Sequence, residues 1–199
     1  KYIKADAFNE LDGFILVERE TTTGIRLGLM VEVDLTAYDF TPFADVQIKA
    51  TEGTILERIP PRVKIRENAP LELPHIMLLC DDREGILIEN LYARRSEFPL
   101  VYDFDLCMKG GHIRGYLIKD GKTVTDIIKV LDSKAEKLKK YGKDTKFLFA
   151  VGDGNHSLAT AKAHWDEIKD QVADDHPARF ALVELINIYD DGIEFEPIH

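Results

Sequence analysis

Six consecutive residues, Gly152-Asp153-Gly154-Asn155-His156-Ser157, set a carboxylate, an amide, an imidazole and a hydroxyl between and beside two glycines. The apolar run "FLFAV" precedes them and the helix-like "SLATAKAHWDEIKDQV" overlaps their end. A strand that passes through a Gly-containing loop directly into a helix presents the free N–H groups of that helix at the loop mouth, where anions and phosphate above all are held. Gly152 and Gly154 permit positive φ and close approach of a ligand, and Asn155 tolerates the same region. On this reading His156 and Ser157 reach phosphate oxygens, while Asp153 holds a metal ion or accepts a proton. The same letters also spell an ordinary turn, with Asp153 and Asn155 as turn formers and Ser157 as a helix N-cap. Spacing leaves both readings open, and the segment matches neither GxxxxGK[ST] nor GxGxxG.

Other reactive side chains are scattered. Asp81-Asp82 follows the apolar run "HIMLLC" and reads as an acidic turn at a strand end, with Mg²⁺ binding as the alternative. "ERIPPRVKIR" carries Arg58, Arg62, Lys64 and Arg66, read either as a solvated basic face or as a source of charge for an anion. His75 and His112 have no neighbour at metal-ligand spacing and are expected to be structural or surface residues; His164 falls about two helical turns after His156 on a similar face. Cys80 and Cys107 form no CxxC pair, and both are expected to be buried thiols.

The elements that position these groups read as follows. "GFILVERE" and "RLGLMVEVDL", separated by "TTTG", predict a hairpin. The segment around 37–68 is irregular, with Pro60-Pro61 blocking any helix that runs straight through it and one or two helical turns after it. "HIMLLC" predicts a buried strand, "EGILIENLYARR" a helix, and "PLVYDFDLCM" with "HIRGYLIKD" a second hairpin across "KGG". "TVTDIIKVLDSKAEKLKKY" is the clearest helix, with Val124, Ile127, Leu131, Leu138 and Tyr141 inward, a Thr123-x-x-Asp126 start and a solvated charged face in "DSKAEKLKK". "KFLFAV", "RFALVELINIY" and "GIEFEPIH" predict strands, and the helix between the first two turns Leu158, Ala161, Trp165, Ile168 and Val172 inward. Without a regular βαβ rhythm the expected class is α+β, a mixed sheet with flanking helices in a single domain over 1–199, comprising a hairpin region 1–45 and a region 46–199 that bears the loop.

Composition narrows the function. The 199 residues are 45% apolar, enough for a true core, and 26 Lys plus Arg stand against 36 Asp plus Glu, a net charge of −10. That balance argues against a nucleic-acid partner. No run approaches a membrane span, and the thiol usage fits a cytoplasmic protein. The opening "KYIKADAF" has no initiator Met, so the sequence reads as a piece of a longer chain.

"VGDGNHSLATAKAHW" resembles the signature of the prokaryotic family called domain of unknown function 1015, usually ADGHHRYETALAYR. "ATEGTILERIPPRVKIRENAPLELPHIMLLCDD", "RLGLMVEVDLTAYD" and the closing "FEPIH" resemble other blocks of that family, with the spacing from Glu52 to Thr54 and on to Arg62 preserved. The family's DGHHR in turn resembles the phosphate-gripping segment of the ParB/sulfiredoxin superfamily of CTP-binding, ATP-using and serine-kinase proteins. This likeness implies a site for ATP, ADP or CTP with Mg²⁺, made by Gly152, Gly154, Asn155, His156 and Ser157 with Thr54 and Arg62. It further implies that Asp153 holds the metal, that Glu52, Asp153 and His156 are catalytic, and that Glu52 is the base of a phosphotransferase or nucleotide hydrolase. The alternative is a ligand-sensing or interaction module of the same fold without turnover. Ser157 stands where the family form has Arg, and a Ser hydroxyl cannot replace a bidentate guanidinium.

Overall fold

A computed structural model of the chain describes residues 8–73, 75–138 and 147–193. Its strands are β1 (Phe14–Glu20), β2 (Ile25–Asp34), β3 (Tyr38–Asp39), β4 (Ile48–Lys49), β5 (Met77–Cys80), β6 (Leu100–Asp105), β7 (His112–Ile118), β8 (Phe149–Asp153) and β9 (Phe180–Asn187). The helices are α1 (Ile59–Arg66), α2 (Ile88–Ala93), α3 (Gly121–Leu138) and α4 (Asn155–Ile168). All nine strands form one sheet in the order β3-β4-β8-β5-β9-β2-β1-β7-β6. The β3/β4, β4/β8 and β5/β9 pairs are parallel and the rest antiparallel, so the sheet is mixed and the α+β class is observed. Both expected hairpins form, β1–β2 and β6–β7. The irregular segment contributes two short strands, β3 and β4, that its residues did not announce.

Alternation along the strands divides the sheet into two unlike faces. Leu16, Leu29, Leu185, Leu78 and Val151 stand in register across β1, β2, β9, β5 and β8, each at most 2% exposed. This row packs in one core with Leu87, Ile88 and Leu91 around α2, Ile127 of α3, and Leu158, Ala161 and Trp165 of α4. Burying a side chain of this size contributes roughly 1.5–3 kcal/mol, so the row and its helical cover hold the sheet together. The other face carries the row Ile15, Met30, Glu184 and Met77 in register.

Helix starts differ in detail from the expectation. Pro60 and Pro61 occupy the first turn of α1 rather than preceding the helix, because N–H groups there have no intrahelical partner to lose. α3 begins before Thr123: the Asp120 carboxylate accepts the Thr123 N–H at 2.8 Å, so the cap is Asp120 and Thr123 lies buried inside the helix. The Leu138 side chain, Tyr141 and residues 194–199 of the closing strand expected over 192–199 lie outside the described residues, and Gly192 and Ile193 are not strand. Cys80 is buried, and burial with the nearby Asp82 charge pushes its thiol up to about 12; Cys107 is exposed, contrary to expectation, in the turn between β6 and β7. His112 is structural, set between Asp105 (2.6 Å) and Asp103. No helix among the described residues is long and apolar enough to cross a membrane.

Two acidic and basic segments also prove more than solvated faces. Asp82 is 1% exposed and accepts the N–H groups of Ile86 and Leu87 and the ammonium of Lys134, at 2.7 Å from one carboxylate oxygen. Lys134, from the "DSKAEKLKK" stretch, is itself buried and also donates to the Asp81 carbonyl. The pair bolts α3 to the turn that launches α2. Removing one partner of a buried pair leaves an uncompensated charge, so Lys134→Met is expected to destabilise the chain by about 3–5 kcal/mol. Chemical denaturation checks this; a loss below about 1 kcal/mol would show that the pair is not structural.

Candidate functional site

The loop singled out by its residues is the junction of β8 and α4. Gly152 and Asp153 are still strand, and Gly154 at φ +85° is the turn. It is the one residue of the six in the left-handed region; Gly152 is extended and Asn155 is already helical. Gly154 is needed for a second reason. A Cβ there would stand 3.0 Å from Ile76 Cα, so the backbone leading into β5 passes directly against the start of α4.

Asn155 locks the junction to the segment after β4. Its Oδ1 accepts the Thr51 N–H at 3.1 Å and its Nδ2 donates to Thr51 Oγ1 at 3.1 Å, while the Thr51 hydroxyl donates to the Val151 carbonyl. Asn155 is 5% exposed, and its side chain is a structural clamp. His156 does the same work one residue on. Nε2 accepts the Ile55 N–H at 3.1 Å, which places the ring proton on Nδ1, and Nδ1 faces Glu52 Oε1 at 3.4 Å. His156 therefore orients the Glu52 carboxylate, which remains half exposed. Thr54 Oγ1 is buried beneath this segment and has no partner among the described residues.

On the adjoining side of α4, Ser157 and His75 meet. Ser157 Oγ lies 2.7 Å from His75 Nε2, and His75 Nδ1 lies 3.1 Å from the Leu73 carbonyl. The carbonyl can only accept, so His75 carries its proton on Nδ1 and takes the Ser157 O–H on Nε2. Both side chains line a cleft of about 510 Å³ together with Arg62, Arg66, Thr160 and His164. Arg66 is neutralised by Glu72, with Nη2 3.3 Å from its Oε2, and Arg62 is exposed on the cleft wall. Arg58 and Lys64 do not line it. His164 Nδ1 is buried without a partner among the described residues.

The expected site residues thus divide. Ser157 and Arg62 share one cleft, which Asn155 and His156 do not line, while Glu52 and Thr54 lie with His156 on the adjoining side of the first turn of α4. Asp153 is exposed, and its Oδ1 accepts the Gly154 N–H at 2.7 Å. No group of three or more His, Cys, Asp or Glu side chains able to hold a metal exists among the described residues, so a magnesium ion at Asp153 would draw its other ligands from water and phosphate. Ser157 is the third helical residue and not the N-cap: its N–H and that of Leu158 both bond to the Gly154 carbonyl, which leaves the amides of Asn155 and His156 without a backbone partner among the described residues. His75 went unrecognised because 82 residues separate it from Ser157; the only signal was its place immediately before the buried Ile76. His164 reaches the Ser157 cleft, whereas His156 turns away to Ile55.

Gly154→Ala combines a left-handed alanine with a contact against backbone, a cost of about 1–3 kcal/mol. The substitution is expected to lower the thermal midpoint and to part Ser157 from His75. A variant of native stability would contradict this account of the junction.

A family model described as a protein of unknown function, DUF1015, matches residues 1–199. No curated protein and no solved structure matches the chain. The match spans the chain from end to end, taking in the β8–α4 junction, Glu52 and Ser157, and the chain belongs to the DUF1015 family.

Proposed function

We propose that the α4 cleft binds a phosphate-bearing small molecule, in the first instance a nucleotide such as ATP, ADP or CTP with Mg²⁺. The observation that carries this reading is the meeting of Ser157, His75 and Arg62 in one cleft, beside the first turn of a helix whose first two amides have no backbone partner among the described residues. A phosphate seated there takes charge from Arg62 and accepts the Ser157 O–H, which turns to it from His75 Nε2, and lies beside the positive end of α4. The likeness of the loop to the phosphate segment of ParB/sulfiredoxin proteins points the same way.

Transfer chemistry is the sharper form of the proposal, as a phosphotransferase or nucleotide hydrolase. Glu52, steered by the Nδ1–H of His156, is the general base that takes the proton of an acceptor hydroxyl or water. Asp153 is the ligand for the magnesium ion, which when bound supplies positive charge to the phosphates. The second reading, a binding module without turnover, draws on Ser157 and Arg66: the first offers a hydroxyl in place of a guanidinium, and the second is spent on Glu72.

Titration calorimetry with Mg²⁺ and each nucleotide is expected to give saturable binding. Arg62→Ala and Ser157→Ala should each weaken it roughly tenfold, the worth of one charge-assisted hydrogen bond. In the enzyme reading Glu52→Ala and Asp153→Ala abolish nucleotide turnover and leave binding in place; in the module reading the native chain turns nothing over. Absence of heat with all three nucleotides at millimolar concentration sinks the proposal.

A further inference from the structure

The sheet face opposite α4 holds a second, larger cavity of about 800 Å³. Two glycines make room for it. A Cβ on Gly28 would collide with the Glu184 carboxylate, and one on Gly115 with the ring of Tyr102, so both side chains lie flat over the backbone of β2 and β7. Burial and the neighbouring Glu184 charge push the Tyr102 phenol up to about 12. Ile15, Val17, Met30 and Leu182 supply apolar wall.

Arg19 and Arg26 stand directly opposite each other across β1 and β2, and both line this cavity. Like charges in that position repel. One carboxylate serves the pair: Glu184 accepts from Arg26 Nη2 at 2.8 Å. Arg19, half buried, has no ion pair among the described residues, and the Nε atoms of Arg19 and Arg26 are both buried without an acceptor. The remaining charges at the cavity, Asp12, Glu32 and Lys119, are exposed at its rim. A partly buried guanidinium without a counter-charge is costly to keep, and a carboxylate reaching it would gain a two-pronged contact while offsetting the repulsion. The volume lies in the range of sites for small metabolites.

We propose that this cavity is a binding site for a small amphipathic carboxylate, whose acid group meets Arg19 beside Arg26 and whose apolar body lies on Ile15, Val17, Met30 and Leu182. The site is independent of the α4 cleft and makes no use of phosphate.

Calorimetry with octanoate, and with 1-octanol as a neutral body of equal length, tests it on the full chain. Octanoate is expected to bind at least tenfold more tightly than octanol. Arg19→Met breaks no ion pair among the described residues and should fold normally; it is expected to erase that preference while leaving octanol binding unchanged. Met30→Trp fills the cavity and should remove both ligands. Equal binding of octanoate and octanol, a preference that survives Arg19→Met, or no binding at millimolar octanoate would overturn the assignment. So would a dimer in sedimentation that excludes octanoate, because the face would then be occupied by a second copy.

Discussion

The close passage of two backbone segments, Gly154 at the head of α4 against Ile76 at the entry to β5, is the constraint on which the rest of the site depends. β8 and β5 are neighbouring antiparallel strands, so the end of one lies beside the beginning of the other. The left-handed turn at Gly154 lets α4 start without leaving that edge, and Asn155 ties the same point to Thr51 on the far side. With three segments fixed at one spot, His75 and Ser157 are brought within hydrogen-bond distance although neither belongs to the other's element. Glu52 and His156 come together on the adjoining side of that turn for the same reason.

This arrangement sits on a sheet whose two faces carry different burdens. The face under α2, α3 and α4 holds the in-register row of buried aliphatic residues and carries most of the cohesion. That division leaves the opposite face free to hold charge, and it does so with two opposed arginines and one carboxylate. Buried charge among the described residues is paired: Asp82 with Lys134, satisfied by backbone as well, and Glu18 with Arg114 at 2.6 Å.

Much of the fold was legible because hydrophobic periodicity is a local signal. Both hairpins, the buried strand before Asp81 and the inward face of α4 followed from alternation or helical spacing. β3 and β4 did not, since two-residue strands carry no period and exist only through their neighbours. Lys134 shows the limit from another side: a lysine among lysines reads as solvent-facing, and only the distant Asp82 makes it buried. In the site, Gly154 and the helix start were readable from type and order. His75 was not, because its chemistry is defined by a contact across 82 residues, and neither was the clamp made by the Asn155 side chain, because its partner Thr51 is equally remote.

The central claim is that the first turn of α4 and the Ser157–His75 pair receive phosphate. Backbone amide resonances followed during titration with inorganic pyrophosphate and Mg²⁺ test it most directly. The account predicts that the largest saturable shifts fall on Asn155, His156 and Ser157, with smaller ones at His75 and Arg62, and that residues of the opposite face such as Met30 stay still. Shifts scattered over surface lysines, or none at Asn155 and His156 at saturating pyrophosphate, would contradict it.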